Sequence, residues 1–252
     1  MAHRYTAELL YGSGFGCQGP GPVRQLEGWT GTTMAKTATH RVLLLRSGAT
    51  EWDLAGRVQG STDLPLSELG LSDITRTVQE LGHPPLSSVC CASDEASISS
   101  AEVLAAAAGV KVVVVPDFQE MAFGLWEGVL KTTLEDRFCR AVRLWGEDPA
   151  CVTPPEGESL VDFSARLIPA LRRVLTKARS SGRRSTATLP SVGVVLRPVG
   201  EALMRCILSG LPTSEVQAIV RERPAPLWID TDIESDWALP SGVRRPASVS
   251  AA

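Results

Sequence analysis

Residues 41–60 have the sequence RVLLLRSGATEWDLAGRVQG. The run at its start, residues 41–46, is short and almost continuously apolar, which is typical of a strand buried on both faces of a sheet. The glycines and polar residues that follow predict a loop at the carboxyl end of this strand. Because ligands of parallel α/β sheets bind at that end of the strands, this loop is the first candidate for a functional site.

Strands and helices are predicted to alternate along the rest of the chain. Short apolar runs indicate three further strands, at residues 88–92, 111–115 and 191–196. Helical spacing of apolar residues indicates helices at residues 67–81, 95–108, 132–145, 159–177 and 200–208. Pro169 is expected to kink or divide the fourth of these helices. The alternation predicts an α/β protein, a three-layer α/β/α sandwich with a mainly parallel sheet.

The two ends of the chain differ from its centre. Residues 1–38 are crowded with glycine and proline, which are costly to order, and they are predicted to form a flexible arm. Met34 lies just before the first strand, so the arm is interpreted either as a mis-assigned start or as a flexible tail. Residues 39–239 are predicted to form one domain, and residues 240–252 a second flexible tail.

The amino-acid composition and charge exclude several classes of protein. Of 252 residues 44% are hydrophobic, which is enough for a packed core, and 25 lysines and arginines against 28 acidic residues give a net charge of −3. That balance disfavours nucleic acid as a partner. No apolar run approaches the length of a membrane span, about 18 residues, and no secretory signal is recognisable. Six cysteines without a CxxC pair argue against a zinc site and a disulfide scaffold. We expect a cytoplasmic protein without a metal, a cofactor or a membrane partner.

Several short motifs occur in a fixed order. RSGATEWD at residues 46–53, GRVQG at 56–60 and DLPLSELG at 63–70 resemble the opening of the histidine phosphatase superfamily, the phosphoglycerate mutase-like proteins, which has R-H-G-E-T-x-W-N, G-R-x-Q-G and D-x-P-L-[ST]-x-x-G. QEMAFGLWEG at 119–128 and PPEGES at 154–159 are similar to that family's L-x-E-x-x-F-G-x-W-E-G and P-x-G-E-S segments. The resemblance covers roughly residues 40–210 and implies the phosphoglycerate mutase-like fold.

The resemblance also implies a chemistry. In that family a histidine attacks phosphorus and becomes phosphohistidine, arginines and a second histidine hold the phosphoryl oxygens, and a glutamate protonates the leaving oxygen. Arg46 and Arg57 stand at phosphate-binding positions, and arginine suits that role because its charge is permanent and its fork is bidentate. Glu120 stands at the proton-donor position, whereas Glu127 is expected to orient its loop. The implied ligand is phosphate or a small phosphorylated molecule.

Three catalytic groups of the resembled family are missing. The nucleophilic histidine is replaced by Ser47, whose hydroxyl needs an adjacent base to attack phosphorus. His40 and His83 are predicted to lie at the opposite edge of the sheet from this serine. The motif after the second strand, residues 93–101, lacks the expected arginine. The second histidine is also absent, and Arg197 is its nearest stand-in and a further candidate for phosphate binding.

Losing three groups together favours a pseudoenzyme that binds a phosphate-bearing ligand or acts as a regulatory module. Two alternatives stay open. One is an active phosphatase or mutase with altered chemistry, using Ser47 or a water aligned by Glu120, and the other is a structural or interaction protein with a vestigial pocket. In each case we expect Arg46, Ser47, Arg57 and Glu120 to line one crevice. A homo-oligomer is compatible with the sequence.

Overall fold

A computed structural model describes residues 40–181, 189–235, 237 and 247–248. The predicted arm, residues 1–38, lies outside these ranges. Of the predicted tail, residues 240–252, only the two-residue strand β7 (Ala247–Ser248) is described, and it pairs in parallel with β4 (Val152–Thr153). None of the helices within the described ranges is long and apolar enough to cross a membrane.

The central sheet has five strands in the order β3-β2-β5-β1-β6. Four of them are parallel and match the predicted runs; the fifth, β6, is antiparallel to β1 and was not predicted. Every residue of β5 is buried, whereas partly buried and exposed residues alternate along most of β6, as is typical of an edge strand. The bounds are β1 His40–Arg46, β2 Ser88–Cys91, β3 Val112–Val114, β5 Ser191–Leu196 and β6 Leu227–Thr231.

The predicted helices occur in the predicted order, two of them with differences, and the short helices α1 (Glu51–Leu54) and α8 (Val216–Glu222) were not predicted. The helix predicted at residues 132–145 is two helices with a break at Phe138. The helix containing Pro169 is not divided there, because the residues around it pack in the core and hold it continuous. The bounds are α1 Glu51–Leu54, α2 Glu68–Leu81, α3 Glu95–Ala108, α4 Lys131–Arg137, α5 Cys139–Glu147, α6 Leu160–Ser181, α7 Pro198–Ser209 and α8 Val216–Glu222.

Apolar residues on the two faces of the sheet form two separate hydrophobic clusters. Successive side chains of a strand point to opposite faces, so β1 contributes to both clusters. One cluster packs β1 against α2 and α3, and its members include Leu43, Leu45, Ile74, Val78 and Leu104. The other packs β1 against α6 and α7, and its members include Val42, Leu44, Phe163, Leu167 and Leu203. The molecule is therefore the predicted three-layer sandwich with a mainly parallel sheet.

The loop after β1 is pressed against the start of α2. Ser67 is the N-cap of that helix: its Oγ accepts a hydrogen bond from Gly70 N and donates one to Ala49 O, both at 2.9 Å. A Cβ on Gly70 would lie only 2.0 Å from Ala49 O, and one on Gly48 only 2.5 Å from Gly70 O. The glycines are required because the two backbones approach too closely for side chains, and this contact fixes the loop that carries Ser47.

Candidate functional site

Ser47 and Arg197 meet where β1 and β5 end side by side. Ser47 N donates to Leu196 O at 2.8 Å, continuing the pairing of the two strands. Arg197 Nη1 lies 3.3 Å from Ser47 Oγ and 3.2 Å from Gly48 O, and it donates to both. Ser47 is 5% exposed and Arg197 2% exposed. Ser47, at the nucleophile position of the resembled family, and Arg197, the nearest stand-in for its second histidine, are thus in contact and buried.

The charge of Arg197 is balanced inside the protein. Its Nη2 donates to Asp53 Oδ2 at 2.8 Å and to Gln59 Oε1 at 2.7 Å. Asp53 Oδ2 also accepts from Thr50 N at 2.9 Å and from Thr50 Oγ1 at 3.2 Å. Burial raises the pKa of Asp53, but Arg197 and the hydrogen bonds from Thr50 outweigh it and hold that pKa below its ordinary value. Asp53 is therefore an ionised partner of the guanidinium at neutral pH.

Asp53 was not predicted as a site residue, although the sequence contains a signal for it. Asp53 occupies the asparagine position of the R-H-G-E-T-x-W-N motif, and Arg197 is the stand-in for the second histidine. Relative to the family motif, Asp53 adds a negative charge and Arg197 adds a positive charge. Two departures of opposite charge at strand ends that converge on one edge of the sheet indicate an ion pair.

Glu120 lies between β3 and α4 and caps the amino end of α7. Its carboxylate accepts hydrogen bonds from Val199 N at 2.8 Å, Gly200 N at 3.0 Å and Met121 N at 2.8 Å. Burial raises the pKa of Glu120 to about 7, against the opposing effect of these donors and of Arg197. The carboxyl group is thus near the Ser47 site and held by the main chain, while its role as a proton donor stays a prediction.

The guanidinium of Arg46 forms its hydrogen bonds with residues of α7 and α8 rather than with Ser47. Nη2 donates to Glu201 Oε2 at 2.9 Å and to Ile219 O at 3.0 Å, and Nη1 donates to Val220 O at 2.9 Å. Within the described residues no hydrogen bond joins Arg46 to Ser47. The side chain instead links the end of β1 to α7 and α8, and the phosphate-binding role expected of Arg46 stays a prediction.

Arg57 and Glu127 hold the loops around the site. Arg57 Nη1 donates to Gly128 O at 2.6 Å. Glu127 Oε1 accepts from Ser61 N, Ser61 Oγ and Phe123 N, each at 2.9 Å, which ties two loops together. A Cβ on Gly60 would lie 2.3 Å from that oxygen, which explains the glycine. The orienting role expected of Glu127 is confirmed, whereas phosphate binding by Arg57 stays a prediction.

An open cavity of about 520 Å³ lies beside Glu120. On one side of it Arg166 makes a two-point ion pair with Glu158, with both N–O distances at 2.8 Å, and donates to the carbonyl groups of Asp117, Gln119 and Glu120. These bonds satisfy the guanidinium within the wall. The lining residues are Ser61, Pro116, Gln119, Glu120, Ala122, Glu156, Gly157, Glu158 and Arg166.

The histidines of the described ranges lie away from Ser47. His40 is the first residue of β1, at the opposite end of the strand, and it is fully buried. His83 follows α2, is exposed, and has its Nδ1 2.9 Å from Ala107 O. Within the described residues the hydroxyl of Ser47 therefore makes its side-chain contact with a cation and none with a base.

When the sequence is compared with models of known protein families, one family model matches most of the chain. A sequence model described as the histidine phosphatase superfamily (branch 1) matches residues 42–220. A curated relative, the probable phosphoglycerate mutase GpmB of Yersinia pestis, is 29% identical over 133 residues, which are 52% of this chain and 61% of the relative. The chain thus spans about three fifths of the length of that relative.

Solved structures of similar proteins share the fold. A protein described as mycobacterial hydrolase 1 is 28% identical with a TM-score of 0.61, covering 71% of this chain and 86% of its own. A mycobacterial glucosyl-3-phosphoglycerate phosphatase in complex with VO3 is 27% identical with a TM-score of 0.62, covering 71% and 85%. The same enzyme with inorganic phosphate gives 28% identity, a TM-score of 0.59, and coverage of 71% and 83%.

Proposed function

Because the chain belongs to the histidine phosphatase superfamily, we propose that it is a member without phosphoryl transfer, a binding or regulatory module for a small phosphate-bearing molecule. One observation carries the proposal. At the position of the nucleophile stands Ser47, and the group that contacts its hydroxyl at 3.3 Å is the guanidinium of Arg197. A guanidinium is a permanent cation with no acceptor, so it cannot take the proton that serine must lose.

A base that could act on Ser47 through the group in contact with its hydroxyl is also missing among the described residues. The carboxylate that contacts the same guanidinium, that of Asp53, accepts from Nη2, whereas the Ser47 hydroxyl accepts from Nη1, and no hydrogen bond joins Asp53 to Ser47 among the described residues. The lowered pKa of Asp53 makes it a weak base at neutral pH. These contacts argue against the alternative in which Ser47 acts as the nucleophile.

The alternative in which Glu120 aligns a water meets a similar obstacle. The raised pKa of Glu120, about 7, would suit an acid–base group. However, the residue is only 4% exposed, and its two carboxyl oxygens already accept three main-chain hydrogen bonds. A water at Glu120 would compete with the cap of α7, so this alternative has little structural support.

The ligand class rests on the relatives and on the surviving cations. The similar mycobacterial phosphatase is known in complex with inorganic phosphate. Here Asp53 neutralises Arg197 and Glu201 neutralises Arg46. Each charge-assisted contact contributes roughly 1.5–3 kcal/mol before the costs of desolvation and immobilisation, so we propose weak binding, about millimolar, that falls with added salt.

We also propose a cytoplasmic location, on the evidence of the cysteines. Burial raises the pKa of Cys90 to about 11 and those of Cys91 and Cys206 to about 12. These thiols stay protonated at neutral pH and are unpaired in the structure. Reduced core thiols of this kind are typical of a reducing compartment.

The proposal is tested by turnover on phosphomonoesters. Wild-type protein and Ser47→Ala are assayed side by side with p-nitrophenyl phosphate and a phosphoglycerate, together with acid-stable and acid-labile phosphoenzyme trapping. We expect equal background rates and no phosphoenzyme in either protein. Robust hydrolysis by the wild type that disappears in Ser47→Ala would overturn the proposal in favour of a serine-dependent enzyme. Phosphate titration of the wild type with no binding at tens of millimolar would favour a vestigial pocket.

A further inference from the structure

Arg197 is a buried cation with unused hydrogen-bonding capacity. Its residue is 2% exposed, and its Nε has no hydrogen-bond partner within the described residues. Ser97 Oγ, fully buried, also lacks a partner there. Ser97 lies one turn before Ser100 on α3, and Ser100 Oγ accepts from the amide of Gly48, the residue whose carbonyl accepts from Arg197. Unsatisfied polar atoms are therefore found on Arg197 itself and on the helix that contacts the same loop residue, Gly48.

Asp53 approaches the same guanidinium from the surface. It lies on α1, a helix of only four residues, and its side chain is 19% exposed, whereas that of Arg197 is 2% exposed. A single oxygen, Oδ2, takes the donors from Arg197 and from Thr50. The carboxylate is therefore the more solvent-exposed partner of a buried cation.

We propose that Asp53 is an internal counter-ion that closes a residual oxyanion site on Arg197, an autoinhibitory contact that regulates the site described under the proposed function and rests on that function. With Asp53 in place, an incoming phosphate must displace the carboxylate. With Asp53 neutralised or withdrawn, Arg197 and the hydroxyl of Ser47 offer donors to a tetrahedral oxyanion.

The physical basis is competition between two anions for one cation. Arginine stays protonated at any accessible pH, so a buried Arg197 without Asp53 would hold an uncompensated charge. That state is unfavourable, and binding an oxyanion relieves it. Charge-assisted bonds from a guanidinium to phosphate replace the one to the carboxylate. Removing the carboxylate should therefore raise the affinity for phosphate rather than lower it.

The test compares inorganic phosphate binding by wild type and Asp53→Asn, measured by isothermal titration calorimetry at low ionic strength. The amide is nearly isosteric and can still accept from Thr50. We expect Asp53→Asn to bind phosphate at least tenfold more tightly than wild type, with affinity that falls as sodium chloride is added. Asp53→Asn combined with Arg197→Met should lose the gain. The matched control is Asp230→Asn, which makes the same charge change at the exposed ion pair with Arg41 and should bind like wild type.

Equal affinity of Asp53→Asn and wild type, with circular dichroism showing both folded, would overturn the inference. If Asp53→Asn does not fold, Thr50→Val takes its place: it removes the hydroxyl that holds the carboxylate, and a two- to threefold gain is expected, whereas no gain overturns the inference. The same proteins are assayed for phosphomonoester hydrolysis. Turnover by the wild type, or no phosphate binding by the wild type at tens of millimolar, would overturn the proposed function. Phosphate binding by the wild type without turnover, and with no gain in Asp53→Asn, would overturn this inference alone.

Discussion

The residue types at three positions of the site depend on one another: Ser47, Asp53 and Arg197. An arginine at the end of β5 without a carboxylate nearby would be a buried unpaired charge, and breaking a buried pair in this way typically costs about 3–5 kcal/mol. Asp53, at 2.8 Å from the guanidinium, removes that cost, and Ser47 is small enough to leave room for the long side chain. A histidine restored at position 47 would meet a cation, so Ser47→His alone is not expected to restore phosphohistidine chemistry.

Glu120 gives a pH dependence that can be measured at the level of one residue. Its pKa is about 7 in the folded protein and 4.5 in its ordinary environment, so the fold favours the protonated form. The contribution of Glu120 to stability is therefore fully present below about pH 4.5 and is lost as the pH rises through 7. Between pH 5 and pH 8 this amounts to about 2–3 kcal/mol, since one pKa unit corresponds to about 1.4 kcal/mol.

We expect the free energy of unfolding of wild type, relative to that of Glu120→Gln, to fall by this amount from pH 5 to pH 8. Urea unfolding of both proteins across that range measures it, and Glu135→Gln, a change at an exposed glutamate of α4, is the control that should show no such difference. A difference between wild type and Glu120→Gln that is constant with pH, or that rises, would contradict the prediction.

At the scale of elements, the parallel pairing of β1 with β5 brings the site together. Its register sets Arg46 opposite Leu196, so the residues that follow each strand are neighbours. The continuous apolar runs of these strands made them predictable, because a strand buried on both faces needs such a run. The alternating strand β6 was not predicted, since its exposed Trp228 and Asp230 interrupt the apolar pattern.

Gly70→Ala tests the contact that fixes the loop after β1. The added Cβ would lie 2.0 Å from Ala49 O and 2.7 Å from Ala49 N, both of them backbone atoms that cannot move without shifting the loop. Overpacking of this kind costs about 1–3 kcal/mol, and we expect a loss at the upper end of that range. Gly146→Ala in α5 is the matched control, because a Cβ there meets nothing within 4 Å and alanine favours a helix. Thermal and urea unfolding compare the two, and equal stability of both variants would contradict the prediction.

For the molecule as a whole, the fold was predictable from the sequence, but the partners of the charged side chains were not. The expected crevice shared by Arg46, Ser47, Arg57 and Glu120 stays a prediction. The three-layer fold and the placement of the loops after β1 and β5 at one edge of the sheet follow from local patterns and from the rules of parallel sheets. The carboxylates that bind the arginines do not. Asp53 lies 144 residues from Arg197, and Glu201 lies 155 residues from Arg46. Pairing over such separations depends on how whole layers pack, which no local pattern records.

The cluster of Arg46, Glu201 and Arg205 connects separate layers of the molecule, and it yields a further prediction. Glu201, whose side chain is 1% exposed, binds Arg46 at 2.9 Å and Arg205 at 2.6 Å, while Arg46 also donates to two carbonyl groups at the end of α8. The cluster joins the central sheet to two helices of one outer layer. Glu201→Gln would leave two buried guanidinium groups without their carboxylate.

We expect Glu201→Gln to lower the free energy of unfolding by about 3–5 kcal/mol, the usual cost of breaking a buried ion pair. Arg46→Met should lower it by less, because Glu201 keeps Arg205 and the methionine fills part of the space. Asp230→Asn, which breaks the exposed pair with Arg41, should leave stability nearly unchanged. Urea unfolding of the three variants measures their free energies of unfolding and tests this order. If Arg46→Met proved as destabilising as Glu201→Gln, the carbonyl contacts of Arg46 rather than the shared carboxylate would be what joins the layers.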